Sequence, residues 1–190
     1  TLGTMTAIRG VSLTLTQGIP VSSLPKSFTV IGTGNIAGLP IPVVLMVLLT
    51  VVFGFVLART RLGRHVYATG SNIDAARLSG VDTKAVLVKV YVISGFLAAF
   101  AGLIMAARII SAQPAAGDGY ELDAVASSVI GGTSTLGGEG MIAGTFIGAF
   151  IIGILRNGLN LVGVSPFIQK IIIGVVIVGS VFADRIKRKD

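Results

Sequence analysis

Long uncharged runs separated by short polar stretches set the pattern of this chain, and the runs have the length of membrane-crossing helices. Leu39 to Ala58 holds no charge and is about as long as a helix must be to cross a hydrocarbon core. Val86 to Ala107 is as long and carries only Lys89, near one end, where a lysine stem can reach the interface. Gly140 to Leu155 is uncharged but short, and Phe167 to Ala183 holds one charge, Lys170, again close to an end. Two weaker segments complete the set. Gly3 to Thr16 is half polar and contains Arg9, whereas Leu122 to Leu136 ends in glycines and is too short to cross unaided. The pattern predicts an all-α polytopic membrane protein, a single transmembrane domain over 1–190 with segments near 3–17, 39–58, 86–107, 122–136, 140–155 and 167–183.

The polar stretches between these runs differ in charge, and that sets an orientation. The loop 59–85 carries Arg59, Arg61, Arg64, Arg77 and Lys84 against Asp74 and Asp82. The tail carries Arg185, Lys187, Arg188 and Lys189 against Asp184 and Asp190, while Arg108 to Asp123 holds Arg108 against Asp118, Glu121 and Asp123. Lys and Arg concentrate in cytoplasmic loops. The first two stretches are therefore expected inside and the third outside, with the carboxyl terminus cytoplasmic. Segments 122–136 and 140–155 supply the two crossings needed before an outer loop near Val162–Pro166.

Within the basic loop, Ser71-Asn72-Ile73-Asp74 has the spacing of a capping box, with Asp where Glu is usual. Ala75, Ala76, Arg77 and Leu78 favour helix, and Ser79-Gly80 is a natural stop. Asp82 or Thr83 can cap the next membrane helix. The expectation is one short helix between two crossings, with Ile73 and Ala76 on a shared face. It reads as an ordinary loop helix or as a docking surface for a cytoplasmic partner. Two rows of small residues, Ser94–Ala98–Gly102–Ala106 and Gly144–Gly148, are expected to admit close helix packing.

Composition excludes more than it adds. Of 190 residues, 53% are hydrophobic and 12% charged, where a soluble domain is about 25% charged. The mean hydropathy is +0.91. The 26 glycines follow no period of three, which excludes collagen and suits membrane helices. With no cysteine, disulfides and thiolate metal sites are impossible, and His65, the single histidine, makes no metal cluster alone. The net charge of +7 would suggest nucleic acid in a soluble protein, but here the basic residues fall between and after the apolar runs, so no nucleic acid is expected. The first residue is Thr1, which leads to the expectation of a chain truncated at its amino end.

Two glycine motifs fail their chemical tests. Val30-Ile31-Gly32-Thr33-Gly34-Asn35-Ile36-Ala37 resembles a dinucleotide-binding turn, but Pro40 and Pro42 open the next segment and no acidic residue follows at ribose distance. An outer loop with turns is expected there. Gly132-Thr133-Ser134-Thr135-Leu136-Gly137 has phosphate-loop spacing, yet Gly138-Glu139 stands where a lysine and a hydroxyl are required. Those glycines instead suggest a broken helix whose unsatisfied amides are buried by protein or line a watery path. An intramembrane protease would need a base beside its nucleophile or two facing carboxylates, and neither is found. The acidic group Asp118, Glu121 and Asp123 reads as a solvated outer collar, or Tyr120, Glu121 and Asp123 read as contacts for a partner protein or an entering sugar. An ion-coupled carrier usually buries an ionisable residue at mid-membrane, and the long runs hold none.

Several segments are recognisable together. Thr60-Arg61-Leu62-Gly63-Arg64 with Ala68-Thr69-Gly70-Ser71-Asn72, Ala75-Ala76-Arg77-Leu78-Ser79-Gly80-Val81, Ser111-Ala112-Gln113-Pro114, Gly119-Tyr120-Glu121-Leu122-Asp123-Ala124, Gly131-Gly132-Thr133-Ser134, and Asn157-Gly158-Leu159-Asn160-Leu161 resemble ribose-type (monosaccharide) ABC permeases. The likeness extends over essentially the whole chain. It implies a ten-helix permease of the vitamin-B12-importer type (type II), with 39–58 as the sixth helix, 167–183 as the tenth and the first four absent. It also implies a bacterial inner-membrane location, a second permease copy, cytoplasmic ATP-binding subunits that hold ATP and Mg, and an extracytoplasmic sugar-binding protein. The resemblance places the ATPase-coupling helix at Gly70, Ser71, Asn72, Asp74, Ala75, Ala76, Arg77, Leu78, Ser79 and Gly80. Candidate pore or binding-protein contacts are Tyr120, Glu121, Asp123, Gly131, Gly132, Thr133, Ser134, Asn157 and Asn160. The implied substrate is ribose or a related monosaccharide, with no catalytic residue, metal or cofactor in this chain. An ATP-independent channel or secondary transporter for a small polar solute is the alternative.

Overall fold

The computed structural model describes residues 2–187. Thr1 and residues 188–190, which include Arg188 and Lys189 of the basic tail, lie outside the described residues. The chain divides into two compact units, one of Thr1–Leu48 with Val92–Asp118 and one of Leu49–Tyr91 with Gly119–Asp190. Two of the three boundaries fall inside long helices, α3 (Ile41–Arg59) and α6 (Thr83–Ile109), and the third lies between Asp118 and Gly119.

In the first unit, α1 (Leu2–Thr16) is followed by β1 (Val21–Ser22), α2 (Lys26–Thr33) and the strand pair β2 (Asn35–Ile36) and β3 (Leu39–Pro40). β1 pairs antiparallel with β4 (Ser111–Ala112), Val21 facing Ala112. β2 and β3 form a tight hairpin whose two turn residues, Ala37 and Gly38, both have positive φ, the geometry that matches strand twist. The stretch expected as a plain outer loop thus contains a helix. Pro25 opens α2 because a first-turn residue needs no amide hydrogen, and its carbonyl accepts from the amides of Phe28 and Thr29. Gly32 is then pressed against the backbone of Ala107 and Arg108, a close-packing role with no strand before it. Arg9 on α1 pairs with Asp118 at 2.9 Å.

In the second unit, α4 (Arg61–Ser71) and α5 (Ile73–Leu78) fill the basic loop, and α7 (Tyr120–Ile130), α8 (Ile142–Leu161) and α9 (Pro166–Lys187) follow. α7 and α8 form a hairpin held by backbone contact. A Cβ at Gly131 would overlap Gly144, and one at Gly148 would overlap the Ser127 carbonyl. α9 packs on both, and its buried Gln169 donates through Nε2 to Asn160 Oδ1 and to the Val164 carbonyl, each at 2.8 Å.

Two segment ends and one loop differ from the sequence reading. The segment expected at 122–136 is helical only to Ile130, because Gly132 takes φ +86° and turns the chain. The segment expected at 140–155 continues to Leu161, so Asn157-Gly158-Leu159-Asn160 prolong the helix up to the outer loop expected near Val162–Pro166. The stop is Gly163 at φ +76°, where the Gly163 amide bonds Asn160 and the Val164 amide bonds Leu159, a Schellman termination. The loop 59–85 holds two helices where one was expected.

Among the described residues, α3, α6 and α8 are long and apolar enough to cross a membrane, and the apolar stretch Pro166–Phe182 is a shorter one. α3 has no buried side chain at all. That is the arrangement of a helix whose apolar surface meets lipid or other helices rather than a water-excluding core of its own chain.

Candidate functional site

α4 begins at a sharp bend. Thr60 caps it, accepting from the Gly63 amide at 3.3 Å while donating to the Val56 carbonyl at 2.6 Å. Gly63 lies against the Leu57 carbonyl, where a side chain would collide. α4 ends at Ser71, so Ser71 is not the cap of the following helix. Asn72 is. Its Oδ1 accepts from the amides of Asp74 (3.0 Å) and Ala75 (2.9 Å), and Asn at this position is among the strongest N-caps. Asp74 in the first turn and Arg77 in the last complement the helix dipole. Their mutual ion pair, at 3.9 Å and largely exposed, adds little.

α5 closes with a full Schellman motif: Gly80 has φ +83°, its amide bonds the Arg77 carbonyl, and the Val81 amide bonds the Ala76 carbonyl. Asp82 then caps α6 by accepting from the Ala85 amide at 3.0 Å. Six residues cannot hold a helix by propensity alone, so these caps are what maintain α5. Asn72→Ala should cost about 1 kcal/mol locally. In the full-length permease it should raise amide exchange over 73–80 severalfold; unchanged exchange would count against the cap.

The faces of α5 correct one expectation. Ala76 is buried at 5% exposure, while Leu78 is 91% exposed and Ile73 40%. Ala76 packs inside the chain, and Leu78, almost opposite it on the helix, is the open apolar residue, with Ile73 only partly exposed on the Ala76 side.

The turn from Gly131 to Met141 is a self-bonded knot. The Gly132 amide bonds Val129, Thr133 bonds Ser128, Ser134 bonds the Glu139 carbonyl, Leu136 bonds Ser134 Oγ, and Gly137 bonds the Ser134 carbonyl. Those five amides are spent within the protein, which corrects the expectation of unsatisfied amides. Ser134 is itself buried, and Thr133 meets Thr145 hydroxyl to hydroxyl at 3.5 Å.

At the other end of the α7–α8 hairpin, Arg156 Nη2 meets Asp123 Oδ2 at 2.7 Å, and the guanidinium lies 5.5 Å from the centre of the Tyr120 ring. Asp123 and Tyr120 were expected as contacts. Arg156 was not, although it is the sole charge on an otherwise apolar helix, which is the signal that could have found it. Asp118, grouped with Asp123 by sequence, belongs to the other unit and pairs with Arg9. The acidic group is thus not an open collar, because two of its three carboxylates are neutralised by arginine. Glu121 and Asn157 are exposed, and Asn160 is engaged by Gln169.

Curated relatives are sugar permeases by name. The chain is 48% identical over 189 residues to the ribose import permease of Bacillus subtilis, covering 98% of this chain and 59% of that protein. It is 46% identical over 188 residues to the ribose import permease of Haemophilus influenzae, covering 97% of this chain and 58% of the relative. The L-arabinose transport system permease of Escherichia coli is 39% identical, with 100% of this chain and 58% of that protein covered. The chain therefore spans less than two thirds of the length of the relatives it matches. No solved structure matches it. Residues 1–181 match the family described as the permease component of the branched-chain amino acid transport system, and the chain, a helical membrane protein, belongs to that permease family.

Proposed function

We propose that this chain forms the greater part of the membrane subunit of an ATP-driven importer for ribose or a closely related monosaccharide, with the 59–85 loop seated on a cytoplasmic ATPase. The observation that carries the reading is the grading of identity, 48% and 46% to ribose permeases against 39% to an arabinose permease, along nearly the whole chain. The α4–α5 element supports it physically. α5 is capped at both ends and offers an exposed leucine and isoleucine on a basic loop, which suits a groove on a partner better than water.

The chain supplies no chemistry in this scheme. ATP and Mg belong to the partner ATPase, the sugar is delivered by an extracytoplasmic binding protein, and a second permease copy completes the path. The basic loop and carboxyl terminus face the cytoplasm. Each ligand acts through its different affinity for the outward-open and inward-open states.

The test is ribose uptake by the full-length permease reconstituted with its ATPase and binding protein. Leu78→Asp is expected to reduce uptake and ATPase capture by roughly tenfold, as for one buried apolar anchor lost, with the permease still folded because Leu78 is 91% exposed. Ala76→Asp should instead lower the permease's own melting temperature, because its site is internal. Uptake that proceeds without ATPase or nucleotide would refute the importer and favour a channel or secondary carrier.

A further inference from the structure

α4 is joined to α5 and to the α7–α8 turn in a way the loop sequence does not announce. Asn72 is at once the residue after the last turn of α4 and the cap of α5, with its amide on the Ala68 carbonyl and its side chain on the α5 amides. Ser79 to Asp82 join α5 to α6 through the bonds of the Gly80 and Val81 amides and the Asp82 cap. Movement of α5 is therefore passed to α4 as well as to α6.

The far side of α4 meets the turn. Tyr67 Oη donates to the Gly140 carbonyl at 2.6 Å, across 73 residues of sequence. A Cβ on Gly70 would lie 2.7 Å from the Gly138 nitrogen, one on Gly137 2.5 Å from the Gly70 carbonyl, and one on Gly138 2.7 Å from Ser71 Cα. Backbone is thus in contact with backbone, without flexible side chains to absorb a displacement. Beyond the turn, the α7–α8 hairpin is tied by the contacts of Gly131, Gly144 and Gly148 and by the Asp123–Arg156 pair.

We infer that α4 and the glycine turn between α7 and α8 form one rigid strut, which carries movement of the 59–85 loop to the α7–α8 hairpin. Tyr67 and Gly70 are its positioning residues. The inference rests on the proposed seating of this loop on an ATPase. It adds that the hairpin, and not α6 alone, receives the motion, and that the turn at 131–141 responds to nucleotide it never touches.

Hydrogen–deuterium exchange on the full-length permease assembled with its ATPase in nanodiscs tests this, with and without a non-hydrolysable ATP analogue. In the wild type, exchange should change over both 59–85 and 131–141. In Tyr67→Phe, which keeps the ring but loses the part-buried hydrogen bond, and in Gly70→Ala, whose methyl would press on Gly138, the loop should still respond while the response of the turn is weakened roughly fivefold. If the loop responds but the turn stays silent in the wild type, or responds equally in both variants, the strut is refuted and the importer reading stands. If the loop itself ignores the nucleotide, both are overturned.

Discussion

Leucine at Gly144 is expected to break the α7–α8 hairpin, the largest effect of any substitution considered for this chain. The Cβ alone would occupy the place of the Gly131 carbonyl, and the rest of the leucine side chain would follow it. Overpacking against side chains costs about 1–3 kcal/mol because rotamers can yield. Here the obstacle is backbone in a turn already fixed by its own hydrogen bonds, so the cost should reach or exceed about 3 kcal/mol. α8 carries its own control. Gly153 sits on the same helix with nothing within 4 Å, and Gly153→Leu should leave stability within about 0.5 kcal/mol. Thermal unfolding of the detergent-solubilised full-length permease separates the two. Equal melting temperatures for both variants would show that the close approach of Gly131 and Gly144 is not what holds the hairpin.

The same pair of glycines illustrates what sequence conveys and what it withholds. Small residues every fourth position mark Gly144–Gly148 and also Ser94–Ala98–Gly102–Ala106, and both rows read as helix-packing faces. Within the described residues the first is used to the point of backbone contact, whereas a Cβ at Gly102 would meet nothing within 4 Å. Spacing states that a helix can be approached closely. It does not state by what, since any surface of complementary shape can be the partner. 

Helix existence was plain wherever an apolar run was long, as for α3 and α6, because about 20 uncharged residues leave the backbone few other ways to satisfy its polar groups in lipid. Helix ends were not plain. α8 was read as stopping near its arginine and asparagines, but polar residues do not end a helix. A positive-φ glycine with the right carbonyls upstream does, and that glycine is Gly163. The sequence of α4, with two glycines and β-branched Val66 and Thr69, has weak intrinsic preference for helix and does not announce one. The helix is held by a threonine cap and by contact with a turn some seventy residues away, which a local reading cannot sense. The cap of α5 moved by one residue for the same reason, since Ser71 was already used by α4. Burial was legible least of all. Ile73 and Ala76 share a helical face by spacing, yet the chain covers one and leaves the other partly open.

Removal of Asp123 should destabilise the protein more than removal of Arg156, although the two form a single pair. The pair joins α7 to α8, with side-chain exposure of only 18% for Asp123 and 33% for Arg156, and one guanidinium nitrogen, Nε, is buried without a partner. Deleting Asp123 leaves a guanidinium that cannot lose its proton. Its remaining support is the Tyr120 ring, worth about 0.5–2 kcal/mol. Deleting Arg156 leaves a carboxylate in the first turn of α7, where the helix dipole favours negative charge. An unpaired charge costs about 2.5–3.5 kcal/mol at the centre of a membrane helix. Arg156 lies nearer the end of α8, and its stem can reach outward, so about 2 kcal/mol is expected for Asp123→Ala and about half that for Arg156→Ala. The exchanged pair Asp123→Arg with Arg156→Asp should recover part of the loss, because the charges are again adjacent. Unfolding of the four full-length proteins in the same detergent decides the matter. No recovery in the exchanged pair relative to the single variants would mean that each side chain acts through packing, and that the ion pair itself contributes nothing to the hairpin.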